Sequence, residues 1–292
     1  REDGVVLDDG TAWRLGEERF LVTCTTAQAA AVEAHFARWR FRLPDLEVSV
    51  DEVTEAWCGL ALAGPRSRVV LAALTGADVS DAALPHLGVR EMTVAGAPTR
   101  VARLSFSGER AFEVMVPPEA APALWDAALS AARAEGGGPY GLEALDILRV
   151  EKGHVTGREI DGRATLGDLG MPGMASRAKD FVGRALMERE GLVDPARPAL
   201  IGLRPVEAEA KVAAGALLHP LGEETGRGIG HVSSVADSPA LGMRVALGFA
   251  AGGLARWDGR LLMAKDPISG RDVKLRAGPP CFLDPEGERL HG

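Results

Sequence analysis

The chain has 292 residues, 46% hydrophobic and 25% charged, which excludes bulk disorder and allows two or three lobes with real cores. Its 33 basic and 41 acidic residues leave a charge of −8, and no run of Lys or Arg could line up along a phosphate backbone, so nucleic acid is excluded as a partner. No apolar run reaches the roughly 18 residues of a membrane span and no charged start leads into an apolar core, so no membrane partner is expected and the chain is read as cytoplasmic.

Three cysteines, Cys24, Cys58 and Cys281, are far apart and form no C-x-x-C pair, so they read as small buried hydrophobes in a reducing compartment. The chain opens on Arg1, and Gly4-Val5-Val6-Leu7 already reads as the inside of a strand, so it is expected to start partway through a larger polypeptide.

Residues 4–24 predict a hairpin: Val5-Val6-Leu7, a turn at Asp8-Asp9-Gly10, then Thr11 to Leu15, with a further strand from Arg19 to Thr23. Thr25 or Thr26 then caps a helix with Val32, Phe36 and Trp39 at i, i+4 and i+7, stopped by Pro44. Strands are predicted at Glu47 to Val50, Trp57 to Leu62 and Thr99 to Phe106, with a helix from Ser67 to Leu74 between the last two. In a strand from Ala111 to Val116, alternation sets Phe112 and Val114 on one face, Glu113 and Met115 on the other.

An alanine-rich helix follows from Pro118 to Ala134, and after a glycine break a helix from Tyr140 to Glu151 carries a stripe of Leu142, Leu145, Ile147 and Leu148. A short helix from Phe181 to Glu190 leads to Asp194-Pro195-Ala196, which places a domain boundary between 1–195 and 196–292. Beyond it, short apolar strands broken by Gly, Pro or Asp every eight to twelve residues predict a small β-barrel or sandwich. The fold class is therefore α+β, without the βαβ alternation of a dinucleotide-binding sheet.

Gly226-Arg227-Gly228-Ile229-Gly230 is followed by a strand pattern at Val232 to Val235 where a phosphate loop would need a helix, and reads as a turn. The six histidines are scattered, so neither a metal set nor a nucleophile triad assembles from sequence. Taken alone, Asp8-Asp9-Gly10 is a turn and Glu113 a solvated strand residue.

Four blocks in order change that reading. Gly4-Val5-Val6-Leu7-Asp8-Asp9, then Leu104-Ser105-Phe106-Ser107-Gly108-Glu109 with Phe112-Glu113-Val114, then Gly141-Leu142-Glu143-Ala144 through Leu148-Arg149-Val150-Glu151-Lys152-Gly153, then Gly230-His231-Val232-Ser233-Ser234 with Ser238-Pro239-Ala240-Leu241-Gly242, resemble the aminomethyltransferase (T-protein) family of glycine cleavage. Within that superfamily, Pro139-Tyr140-Gly141, Glu151-Lys152-Gly153-His154, Ile160-Asp161-Gly162, Asp168-Leu169-Gly170-Met171 and the tail from Asp284 to Leu290 are similar to the alpha subunits of heterotetrameric sarcosine oxidases.

The resemblance implies the aminomethyltransferase folate-binding fold, lacking the start of its first lobe and ending in a β-barrel domain. It implies capture by tetrahydrofolate of the one-carbon unit of an amine-derived iminium, with FAD, FMN and NAD on other parts or on the beta, gamma and delta subunits. Asp9 takes the catalytic aspartate's place, keeping a folate nitrogen deprotonated and nucleophilic. Glu113 takes that of the glutamate gripping the pterin, whose adjacent N–H groups suit a bidentate carboxylate. Phe106 and Tyr140 fall among the folate-binding residues; Phe106 keeps the ring of a family tyrosine without its hydroxyl. Two positions depart: the family arginine is Leu145 and an asparagine is Cys24. A free-standing aminomethyltransferase or a dimethylglycine-dehydrogenase relative is the alternative. So is a non-enzymatic folate-binding protein of iron-sulfur assembly, although its cysteine is missing from Lys152-Gly153-His154-Val155-Thr156-Gly157-Arg158-Glu159.

Overall fold

The computed structural model describes residues 1–291, which divide by compactness into two units. One holds residues 1–9 and 146–285, the other residues 10–145 and the described residues from 286 onward. The division falls within a helix, between Leu145 and Asp146, whereas the boundary read from sequence lies at 195/196.

In the unit of residues 10–145, β1 (Ala12–Arg14) pairs antiparallel with β2 (Phe20–Val22). This is only half of the expected hairpin system. Residues 5–7 form no strand, and the Val6 N–H bonds instead to the Ala164 carbonyl at 2.9 Å, within the other unit. Gly10 has no left-handed turn conformation; it is glycine because a Cβ there would meet the Thr23 carbonyl oxygen at 1.7 Å. The helix α1 (Ala29–Arg42) forms over the predicted stretch, but neither Thr25 nor Thr26 caps it through its side chain and none of its residues is buried. The predicted strand at Glu47 to Val50 pairs with no strand among the described residues.

The ordered core of this unit is a four-stranded antiparallel sheet in the order β3 (Cys58–Ala63), β6 (Ala111–Val116), β5 (Ala97–Ala102), β4 (Val89–Val94). The hairpin β4–β5 turns at Ala95 and Gly96, both at positive φ, a pairing hidden from sequence by the polar alternation of Arg90, Glu91 and Thr93. One sheet face meets α2 (Ser67–Leu74) and α3 (Ala121–Ala134): Leu71, Leu84, Val101, Phe112 and Val116 are all fully buried there with Leu124.

In the other unit, six antiparallel strands close a barrel in the order β10 (Met243–Ala251), β7 (Pro198–Pro205), β12 (Arg271–Gly278), β11 (Leu261–Asp266), β8 (Leu217–Pro220), β9 (Gly230–Ser238). Closure leaves no unpaired edge. Ile201, Leu203, Leu218, Leu262 and Leu275 fill the interior. Strand β10 is buried on both faces: Ala246 and Ala250 point inward, while Val245, Leu247 and Phe249 point outward onto Val150, Val155, Ile160 and Leu169. That outer layer is why residues 146–169 belong with the barrel. The glycine run at 226–230 leads into β9, with no helix after it.

Helix α4 (Leu142–Lys152) departs from its apolar stripe: Leu142 is 84% exposed, and the buried positions are Arg149, Val150 and Glu151. The cysteines are free thiols, half-buried rather than buried. No helix among the described residues is long and apolar enough to cross a membrane.

Candidate functional site

Glu113 sits on the sheet face turned away from the core. Its cross-strand neighbours are Ala61 on β3 and Ala102 on β5, both too small to cover it. Next along the same face, Met115 lies between Gly59 and Arg100, whose guanidinium stacks 4.0 Å over the Trp57 ring and pairs with Glu91 at 3.2 Å. No cation or hydrogen-bond donor among the described residues meets the Glu113 carboxylate, and burial raises its pKa above the ordinary value. A half-buried carboxylate with no partner costs folding energy, which makes Glu113 a candidate for contact with a ligand.

Phe106 and Tyr140 belong to the same unit. Phe106 is 37% exposed, on a loop after β5 that the serines brace: Ser105 Oγ accepts from the Gly108 N–H at 3.1 Å and Ser107 Oγ from the Glu109 N–H at 3.3 Å. Glu109 pairs with Arg289 at 2.8 Å, so the C-terminal tail helps fix this loop. Tyr140, on the irregular stretch before α4, is 39% exposed, and burial raises the pKa of its phenol, which stays a hydrogen-bond donor. Leu145, where the family arginine would stand, is half-buried near the end of this unit.

Asp9 belongs to the barrel unit. The stretch before it is anchored by buried Val5, by the Val6 bond to Ala164 and by packing of Val6 against the cluster on the outside of the barrel. The Asp9 side chain is open to solvent, yet its pKa is raised: first by desolvation from the protein atoms crowded around it, then by the negative charges of Asp8 and Glu159. Its own backbone N–H pulls the other way. Exposure together with crowding leaves a solvent-accessible carboxylate whose pKa lies above that of an ordinary aspartate.

Sequence reasoning missed the buried polar network beside it. Arg149, fully buried on α4, donates to Asp146 at 2.7 Å, to Glu159 at 3.1 Å, to the His154 carbonyl at 3.2 Å and to Ser234 at 2.8 Å. Glu159, also fully buried, accepts from Ser233 and Ser234, each at 2.6 Å, and from Thr156 through both its N–H and its hydroxyl. Every oxygen of the Glu159 carboxylate is thereby matched, as a buried charge requires. The available signal was an arginine on the inner face of an apolar helix and a pair of serines inside a strand.

A four-stranded antiparallel sheet and a closed six-stranded barrel in one chain are the architecture of the aminomethyltransferase fold. The family model described as the GCVT N-terminal domain matches residues 1–179, and the chain belongs to that family. Along its whole length it is 40% identical, over 299 residues, to the sarcosine oxidase subunit alpha of Rhizobium meliloti (strain 1021), of which it spans 30%. It is 32% identical over 296 residues to the aminomethyltransferase of Rubrobacter xylanophilus, matching 98% of this chain and 73% of that one. The crystal structure of glycine cleavage system aminomethyltransferase T from Bartonella henselae superposes with a TM-score of 0.78 at 25% identity, covering 97% of this chain and 73% of the other. These relatives are enzymes.

Proposed function

We propose that this chain is the folate-binding, one-carbon-transferring region of a sarcosine oxidase alpha subunit. The observation that carries the reading is Glu113, a half-buried carboxylate with no partner of its own, in a chain similar from end to end to part of such subunits. The residues fit tetrahydrofolate: its pterin edge offers two adjacent N–H donors, which the two carboxylate oxygens of Glu113, unengaged by the protein, can accept side by side. Small Ala61 and Ala102 flank the Glu113 side chain across the sheet without supplying it a partner.

Tetrahydrofolate supplies the amine that takes up the one-carbon unit released from sarcosine, giving glycine and 5,10-methylenetetrahydrofolate. Asp9 removes the proton that this amine must lose and steadies positive charge on the incoming carbon. Phe106 offers an aromatic face and the Tyr140 hydroxyl a hydrogen bond. Oxidation of the amine, with its flavins and NAD, is assigned to parts of the longer protein or to its other subunits, none of which these residues supply.

Calorimetric titration of tetrahydrofolate into wild type and Glu113→Ala tests the reading. Loss of one charge-assisted pair of hydrogen bonds, about 1.5–3 kcal/mol, weakens binding roughly ten- to a hundredfold. Equal affinity in the two proteins, or binding in neither, overturns it. The likeness to the Rubrobacter aminomethyltransferase favours a second reading, a free-standing aminomethyltransferase. Co-purification with flavin-bearing subunits and folate-dependent turnover of sarcosine decide for the first.

A further inference from the structure

The Arg149–Glu159 network lies outside the residues assigned to folate, yet it is the most heavily hydrogen-bonded polar cluster in the barrel unit. Buried salt bridges are often neutral or costly for stability, so the network invites a role beyond stability. Glu159 lies on the segment 156–164, and that segment does two things. At its far end the Ala164 carbonyl accepts the Val6 N–H at 2.9 Å, and Ile160 and Ala164 join the cluster on which Val6 packs. The stretch leading to Asp8 and Asp9 is thus anchored at Val6 to the segment that Glu159 holds.

We propose that Glu159 is a positioning residue for Asp9: clamped by Arg149, Thr156, Ser233 and Ser234, it fixes the segment that carries the Asp9 stretch and holds a negative charge toward it. The inference rests on the reading of Asp9 as the acid–base group. The charges around Asp9 are few enough to name. Asp8 is its neighbour in the chain, and Glu159 is the second carboxylate whose charge it feels. Behind Glu159 stand Arg149 and Asp146, with Arg158 on Asp146 at 3.5 Å. Asp161 on the same segment is paired with Arg163 at 2.5 Å and feels the charge of His231. Arg149, three hydroxyls and a backbone N–H share the Glu159 carboxylate, and its charge is among those that raise Asp9.

The test reads Asp9 directly. In protein labelled with carboxyl-13C aspartate, the Asp9 resonance is assigned by its loss in Asp9→Asn and titrated in wild type, Glu159→Gln and Glu159→Asp. Glu159→Gln lowers the midpoint, so the protonated fraction of Asp9 at a fixed pH above it falls severalfold, and Glu159→Asp, which keeps the charge, restores it. An unmoved midpoint in folded Glu159→Gln overturns the proposal. If Glu159→Gln does not fold, Ser233→Ala carries the test through hydrogen exchange. Trimming this half-buried hydroxyl speeds exchange of the Val6 amide severalfold while Leu203 in the barrel core is unchanged; equal protection at Val6 overturns the proposal. Neither readout uses folate, so absent folate binding would sink the proposed function while leaving this inference to stand or fall by itself.

Discussion

At Glu113, burial without a partner makes two opposite demands. In the free chain the neutral form is favoured, so folding stability contributed at this position is present in acid and lost as pH rises through the raised pKa. Glu113→Gln removes that loss. The variant is expected to be more stable than wild type at neutral pH in urea unfolding, with the advantage fading as pH falls below the ordinary glutamate range. Folate bound to Glu113 as proposed would reverse the preference, because the pterin N–H groups need the ionised carboxylate; affinity is then expected to rise with pH through the raised pKa, with binding below it releasing a proton, visible as a buffer-dependent heat. Asp9→Asn separates from both. It keeps hydrogen-bonding shape but cannot take a proton, so one-carbon transfer falls by about a hundredfold or more while tetrahydrofolate affinity changes little, read as kcat against KM.

Among elements, α4 and what it carries decide the stability of the barrel unit. Arg149→Leu leaves Glu159 buried and uncompensated and is expected to cost about 3–5 kcal/mol in urea unfolding. The double change Arg149→Leu with Glu159→Leu recovers a large part of it, because no charge remains to be buried. Gly153, just past the helix at φ +80, allows a close backbone approach: a Cβ there would meet the Pro280 carbonyl oxygen at 2.7 Å, so Gly153→Ala is destabilising on both counts. The sequence pattern revealed the existence of these elements better than their inner faces. The alternation of short strands after residue 198 announced the barrel, because closure makes every strand obey the same inside-outside rule. The stripe of Leu142, Leu145, Ile147 and Leu148 misled, since an apolar pattern cannot show that a satisfied arginine takes the buried side. Asp9 and Glu113 became candidates only through resemblance; composition and period alone gave a turn and a solvated strand. The strand–strand match predicted at residues 5–15 failed because Val6 finds its partner 158 positions away, at Ala164, beyond the reach of local pattern.

Across the whole chain, order is unevenly supported. The barrel and the four-stranded sheet each have a closed apolar cluster, whereas residues 26–56 contribute no buried side chain. Phe41 is 87% exposed and Leu46 57%, and Val48, Val50 and Val53 are exposed with them, along a stretch where alternating apolar and acidic residues form no ladder. The local pattern there is that of a strand, which is why sequence predicted one at Glu47 to Val50. A strand needs a neighbour, and none among the described residues pairs with it. Segments with few buried contacts open at little cost, so proteolysis of the chain under native conditions is expected to cut first between residues 43 and 56, while sites within β7 to β12 remain protected. Mass spectrometry of the first fragments checks this. Initial cleavage inside the barrel strands would show that the apolar cluster behind β10 does not hold the barrel unit as firmly as its burial implies.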